Sequence, residues 1–190
     1  MKRLLMLVAL AATACSLGGG LKETFYVLSG PEGAAPAAAP DTLVIYVAPA
    51  AVPESVDRAQ MVLQNSANQV DLSEEHRWAE PLKTAIPRVV AEHLGRLLGT
   101  PRVMSSRVGT GLDLDYRVSL EVQRFDSSLT RGATVDVLWT ITGKRANPAR
   151  SGRSSVTEPA TAATPEGVAA AHSRALAHVA SDIAAAIRTR

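Results

Sequence analysis

Between residues 81 and 187 the spacing of apolar side chains changes period twice, and this constrains the chain more than any single motif does. Leu82, Ile86, Val89, Val90, His93, Leu94, Leu97 and Leu98 share one face at helical spacing, and Gly99 and Pro101 supply the stop. The period then falls to two. Tyr116, Val118, Leu120 and Val122 alternate with Arg117, Ser119, Glu121 and Gln123, while Val135, Val137, Trp139 and Ile141 alternate with Asp136, Leu138, Thr140 and Thr142. A turn-like stretch from Asp126 to Gly132 joins the two runs as an antiparallel hairpin of half-exposed strands. Helical spacing returns in Val168, His172, Leu176, Val179, Ile183 and Ile187. Thr164 stands ahead of that stripe as N-cap, with Pro165 and Glu166 in the first turn. Alanines at 169–171, 175, 177, 180 and 184–186 line the stripe and would let this helix lie close on a sheet.

The remaining segments are shorter. Residues 24–28, Thr-Phe-Tyr-Val-Leu, read as a first strand, and residues 30–41 are a Pro/Ala/Gly loop too broken for a helix. Leu43-Val44-Ile45-Tyr46-Val47 is a continuous run of β-formers, expected to be a central strand covered on both faces. Residues 60–73 look like a hairpin with short arms around Asn65-Ser66-Ala67-Asn68. Pro87 falls inside the first helical pattern, so a kink or a late start is expected there. A short strand is expected around residues 102–108, then a Gly109-Thr110-Gly111 turn, and a weaker strand at 153–157. With 190 residues and 46% apolar composition the chain can bury a core of its own without disulfides or a structural metal, and no internal repeat is visible.

At the start, Lys2 and Arg3 precede an uncharged run of 11 residues, Leu4 to Ala14, which is too short to span a bilayer and has the form of a secretion signal. Ala12-Thr13-Ala14 leads into Cys15, the only cysteine. The order resembles a bacterial lipobox, in which the cysteine is acylated and becomes the new N-terminus. The alternative is an ordinary cleaved signal that leaves a reactive thiol in an oxidising compartment. The expected organisation is a signal peptide over 1–14, an acylated cysteine and tether over 15–23, and one domain over 24–190. Ser16, where an inner-membrane retention signal would have Asp, points to the outer membrane, with the protein anchored there and facing the periplasm. Lys+Arg exceeds Asp+Glu by 20 − 18 = 2, and Lys2 and Arg3 account for both, so a nucleic-acid partner has no electrostatic support.

No catalytic or metal constellation emerges. His172 and His178 are six residues apart, about 240° around a helix, and His172 on the apolar stripe reads as a packing residue. Gly-x-Ser-x-Gly is absent, and Gly109-Thr110-Gly111 lacks the lysine of a phosphate loop. Asp113 and Asp115 would share a strand face, where solvated charge is favoured over acid–base work. No cofactor is expected beyond the covalent lipid on Cys15.

Two segments carry a resemblance: Arg58-Ala59-Gln60-Met61-Val62 leading to Arg77-Trp78-Ala79-Glu80-Pro81-Leu82, and Leu176-Ala177-His178-Val179-Ala180-Ser181-Asp182-Ile183-Ala184. Together they resemble the ABC-type transport auxiliary lipoprotein family, the paraquat-inducible protein C-like lipoproteins, with Arg124-Phe125-Asp126 and Leu138-Trp139-Thr140 where that family has paired strands. The likeness spans residues 24–187. It implies an α/β (α+β) fold: a two-layer sandwich of a mixed sheet with two amphipathic helices on one face, similar to the N-terminal domain of TolB. It further implies a non-catalytic subunit of an intermembrane lipid transport system. Such a subunit would dock a periplasm-spanning MCE-domain membrane protein and its ABC transporter, and would form a homo-oligomer to match the partner's ring. Trp78, Ala79, Glu80, Pro81 and Leu82 are the candidate partner-binding or structural motif, with Trp78 either packing the helix start onto the sheet or anchoring an interface. Competing readings are a free-standing carrier that shields phospholipid itself, and a secretion or assembly lipoprotein of another envelope machine.

Overall fold

The computed structural model describes residues 22–33, 43–106 and 113–189. The signal segment, Cys15, most of the Pro/Ala/Gly stretch and the Gly109-Thr110-Gly111 turn lie outside the described residues. The elements are β1 (Thr24–Tyr26), β2 (Ile45–Val47), β3 (Gln60–Ser66), β4 (Gln69–Trp78), α1 (Leu82–Leu98), β5 (Val103–Met104), β6 (Tyr116–Ser128), β7 (Gly132–Thr142), β8 (Arg150–Glu158) and α2 (Pro165–Arg188).

All eight strands belong to one mixed sheet, organised by β6. Along one edge of β6, β7 runs antiparallel from Arg117 to Ser128. The other edge takes two parallel neighbours in succession, β2 beside residues 116–118 and β3 at Leu63↔Ser127. Ala51 prolongs the β2 line: its N–H donates to Leu120 O at 3.0 Å and its carbonyl accepts from Val122 N–H at 2.8 Å. Beyond these, β4 pairs antiparallel with β3, β1 parallel with the end of β4, β5 parallel with β2, and β8 antiparallel with β7. Paired on both edges, β2 lies inside the sheet as expected, but the expected cover on both faces is not found: Ile45 and Val47 are buried while Tyr46 between them is half-exposed.

Along β6 the inward residues Tyr116, Val118, Leu120 and Val122 are buried and those between them exposed. The helices supply the second layer. α2 lies over β7 and β8, α1 over β2 and β5, and the two pack on each other. Leu176, Val179, Ile183 and Ile187 of α2 are buried among Val135, Val137 and Ile141 of β7, each large side chain contributing about 1.5–3 kcal/mol of burial free energy. The opposite face of the sheet stays open to solvent at Arg117, Ser119, Glu121, Thr140 and Thr142. The fold is the mixed α+β sandwich that the resemblance implies.

Several expectations are corrected. The β6 strand does not stop before Asp126 but continues to Ser128, leaving residues 129–131 as the turn. The cause is a β-bulge: Val122 faces Val137 while Arg124 faces Asp136, so Gln123 is an extra residue and the inward positions shift from even to odd numbers. Phe125 and Ser127 are buried after the shift, and the broken alternation is what reads as a turn in the sequence. The 60–73 hairpin is longer too. Its second arm, β4, reaches Trp78 because β1 pairs with residues 76–78 and stabilises the extension. The weak strand at 153–157 is a full strand from Arg150 to Glu158, paired with β7 throughout.

Of the kink or late start expected at Pro87, the late start is overturned. α1 begins at Leu82 and carries Pro87 in its interior. A proline there has no N–H for the carbonyl four residues back, and that carbonyl, Lys83 O, instead accepts from Ala50 N–H at 3.0 Å. The segment after β2 thus completes a bond the helix cannot make. At its far end α1 stops at Gly99, whose φ of 65° is the left-handed cap conformation that glycine adopts without strain. α2 starts as expected, with Thr164 accepting from Gly167 N–H at 3.1 Å.

Candidate functional site

The five motif residues occupy the junction where β1, β3, β4 and α1 meet. Trp78 ends β4 and is 5% exposed. Its ring meets Phe125 edge-on at 6.0 Å between centroids and His172 at 5.9 Å, while Phe125 and His172 stack at 3.8 Å. Its backbone N–H donates to Ala59 O at 2.7 Å, and the next N–H, of Ala79, donates to Tyr26 O at 2.8 Å. The two residues therefore tie β4 to its neighbours on both sides. Pro81 closes the turn into the helix, its carbonyl accepting from the Thr84 and Ala85 N–H groups at 3.0 Å each, and Leu82 is buried beneath it.

Glu80 serves a different purpose. Its Oε1 accepts from Arg88 Nη2 at 2.5 Å, and the same Nη2 donates to Leu28 O at 2.8 Å, while Nη1 reaches Glu92 Oε1 at 3.0 Å. The bond from Glu80 is the main reason the Arg88 guanidinium is held above its ordinary pKa. Arg88 thus links the end of β1, the motif and α1. Nothing in its sequence position distinguishes it from any solvent-facing helix arginine.

The motif also forms one wall of a cleft of about 420 Å³, with Asp57, Arg58 and Lys83 around it and Phe25 at its rim. A second hollow of about 480 Å³ lies on the other side of Phe25, between β1 and the first turns of α2. Phe25 and Val27 are 57% and 56% exposed. They project from β1 and the residue that follows it, opposite Tyr26 and the buried Leu28, so the alternation legible at residues 24–28 could have revealed an outward apolar pair. Tyr26 in turn bonds His76 Nδ1 at 2.9 Å through its hydroxyl.

His172 is fully buried. Ser127 Oγ lies 2.8 Å from its Nε2, its Nδ1 has no hydrogen-bond partner, and burial lowers its pKa to about 3. It is a neutral packing residue at neutral pH. Asp113 and Asp115 do not act as a pair: Asp113 bridges to Lys144, while Asp115 accepts from Val44 N–H at 2.8 Å and from Arg145 Nε at 3.0 Å. On β7, the Asp136 carboxyl is held below its usual range by bonds from Arg153, the Nε contact being 2.8 Å. Trp139 lies across the facing Gly152, where a Cβ would come within 2.2 Å of the ring, and its Nε1 donates to Ser154 Oγ at 3.1 Å. Among the described residues no group of three or more His, Cys, Asp or Glu could hold a metal, and no helix is long and apolar enough to cross a membrane.

Residues 26–184 match the family model described as the ABC-type transport auxiliary lipoprotein component. The chain belongs to this family. The match covers every element from the end of β1 to the last turns of α2. No curated protein matches the sequence. Among solved structures, an uncharacterised protein superposes with a TM-score of 0.70 at 16% identity, over 87% of this chain and 99% of its own. A protein from Xanthomonas campestris superposes with a TM-score of 0.63 at 16% identity, over 85% of this chain and 92% of its own. At that identity the likeness establishes a shared fold.

Proposed function

We propose that this auxiliary lipoprotein is a non-catalytic docking subunit of an intermembrane lipid transport system. In this reading residues 1–14 are a signal peptide, Cys15 carries the lipid anchor at the outer membrane, residues 15–23 are the tether, and residues 24–190 form a single periplasmic domain. Its partner is a periplasm-spanning MCE-domain protein with its ABC transporter, met by a homo-oligomer of this chain. The observation that carries the reading is the sequence order: a lone cysteine after an 11-residue apolar run, followed within a dozen residues by the start of the family match at residue 26. The surface that suits docking is the outward pair Phe25 and Val27 with the cleft beside the Trp78 motif. Exposed apolar side chains next to a concavity are what interface anchors require. Phe25 is ten residues from Cys15, so the tether holds it within about 35 Å of the anchor.

The test is recovery of the acylated protein from detergent-solubilised membranes, with mass spectrometry of proteins and lipids in the eluate. Co-purification of an MCE protein with ABC subunits, reduced by Phe25→Ser/Val27→Ser, supports the reading. Bound phospholipid without a protein partner would replace it with a free-standing carrier, and a secretion apparatus in the eluate would replace it with an assembly role.

A further inference from the structure

Where the C-terminal ends of both helices converge, Leu43, Leu98, Tyr116 and Ile187 line a cavity of about 620 Å³ together with Arg145, Arg150 and Arg188. The volume lies in the range of small-molecule sites. Of its seven described lining residues, three are arginines and none is acidic. Three other hollows differ: the cleft at Trp78 has Asp57 and Glu80, the one beside α2 has Glu166, and a smaller one at the end of α1 has Glu92. Asp115, which is not among the described lining residues, engages Arg145 Nε at 3.0 Å.

The other two guanidiniums are held in place by helix ends. Arg150 Nη1 donates to Ala186 O at 2.5 Å, and Arg188 Nη2 donates to Leu97 O. These bonds satisfy terminal carbonyls that a helix leaves open. A guanidinium carries five N–H donors in a planar fork, so one bond to a carbonyl positions it and leaves most of the fork for a ligand. Arginine forks match phosphate oxygens geometrically, and the apolar lining between them matches a hydrocarbon chain.

We infer that this cavity binds the phosphate head of an anionic amphiphile, with part of its acyl chain laid over Leu43, Leu98 and Ile187. The site goes beyond the docking role and does not depend on it, because it is measured on the protein without partners. The experiment is calorimetric titration of the full acylated chain, held in phosphatidylcholine nanodiscs, with dihexanoyl phosphatidic acid, and with empty nanodiscs as the blank. Saturable binding of one equivalent is expected, weakening as salt is raised. It should be at least ten-fold weaker in Arg145→Gln/Arg188→Gln and only partly restored in Arg145→Lys/Arg188→Lys, which keeps the charge without the planar fork. The lysine variant also separates lost binding from lost folding, since circular dichroism of both variants reports whether the helix ends survive. Two further probes distinguish the parts of the ligand. Inorganic phosphate should bind at least ten-fold more weakly than dihexanoyl phosphatidic acid, and dihexanoyl phosphatidylcholine should bind more weakly as well. Equal binding of inorganic phosphate would overturn the amphiphile assignment, and no saturable binding, or binding indifferent to the glutamine substitutions, would overturn the site.

Discussion

The two helices cover neighbouring parts of one sheet, but they are specified in different ways. α2 carries its own instructions: Thr164 caps it, Pro165 and Glu166 fill its first turn, and its apolar stripe runs uninterrupted to Ile187. α1 has no side-chain cap, no acidic residue in its first turn and a proline inside. What completes it comes from elsewhere in the chain: Ala50 N–H on the Lys83 carbonyl, and Arg88 gathering Glu80 and Leu28. A helix whose stability is local should survive damage to its surroundings, and one assembled from tertiary contacts should not.

The strongest test of that contrast is Trp78→Ala, which empties a buried site at the start of α1 and should cost about 3–5 kcal/mol in chemical denaturation. Because Trp78 also touches His172, some loss will reach α2. Native-state hydrogen exchange should nevertheless show α1 amides losing protection first, and equal loss in both helices would break the contrast.

Acid probes the same seam from the side of α2. His172 has a folded pKa of about 3 against about 6.5 unfolded, so the unfolded chain binds the extra proton more readily. The contribution of His172 is therefore complete above pH 6.5 and is lost as pH falls toward 3, at about 1.4 kcal/mol per pH unit. At pH 5 the wild type should have lost about 2 kcal/mol through this residue. His172→Phe, which cannot titrate, should lack that part of the slope in denaturation measured from pH 7 to pH 5.

What was legible in the sequence follows the same division. α2, the β6–β7 pairing and the inward residues 116–122 were readable because cap, period and turn all lie close together in the chain. The extension of β6 was hidden by the single extra residue Gln123, which inverts the alternation without any glycine or proline to announce it. The continuity of α1 through Pro87 was hidden because Ala50 is 37 residues away from it in the chain. The motif at 78–82 was legible as a segment, but its surroundings were not. Phe25, Arg58 and Arg88 come to it from β1, the loop before β3 and α1, and the arginines at 145, 150 and 188 come together from the β7–β8 connection, the start of β8 and the end of α2.

A smaller effect should follow Arg88→Ala, which leaves Glu80 and the Leu28 carbonyl without their shared donor. The Arg88 and Glu80 side chains are about a third exposed while Leu28 is buried, so the cost should be about 1–2 kcal/mol. Arg88→Lys should recover only part of it, since an ammonium cannot span Glu80, Glu92 and Leu28 O as the planar fork does. Full recovery with lysine would mean that charge alone, and not the three-way connection, supports α1.

The smallest change is expected at the position that looks worst on paper. Proline inside a helix ordinarily costs about 3 kcal/mol relative to alanine, so Pro87→Ala would stabilise a locally specified helix by that amount. Here the carbonyl that proline leaves open already accepts from Ala50, and the buried ring fills space against the core, so the substitution should change stability by less than about 1 kcal/mol in either direction. Thr164→Ala is the matching change in α2, where nothing distant replaces the lost cap, and it should cost about 1 kcal/mol. If thermal and urea denaturation instead showed Pro87→Ala stabilising by about 3 kcal/mol, the Ala50–Lys83 bond would not be the compensation, and α1 would be a locally encoded helix carrying an uncorrected fault.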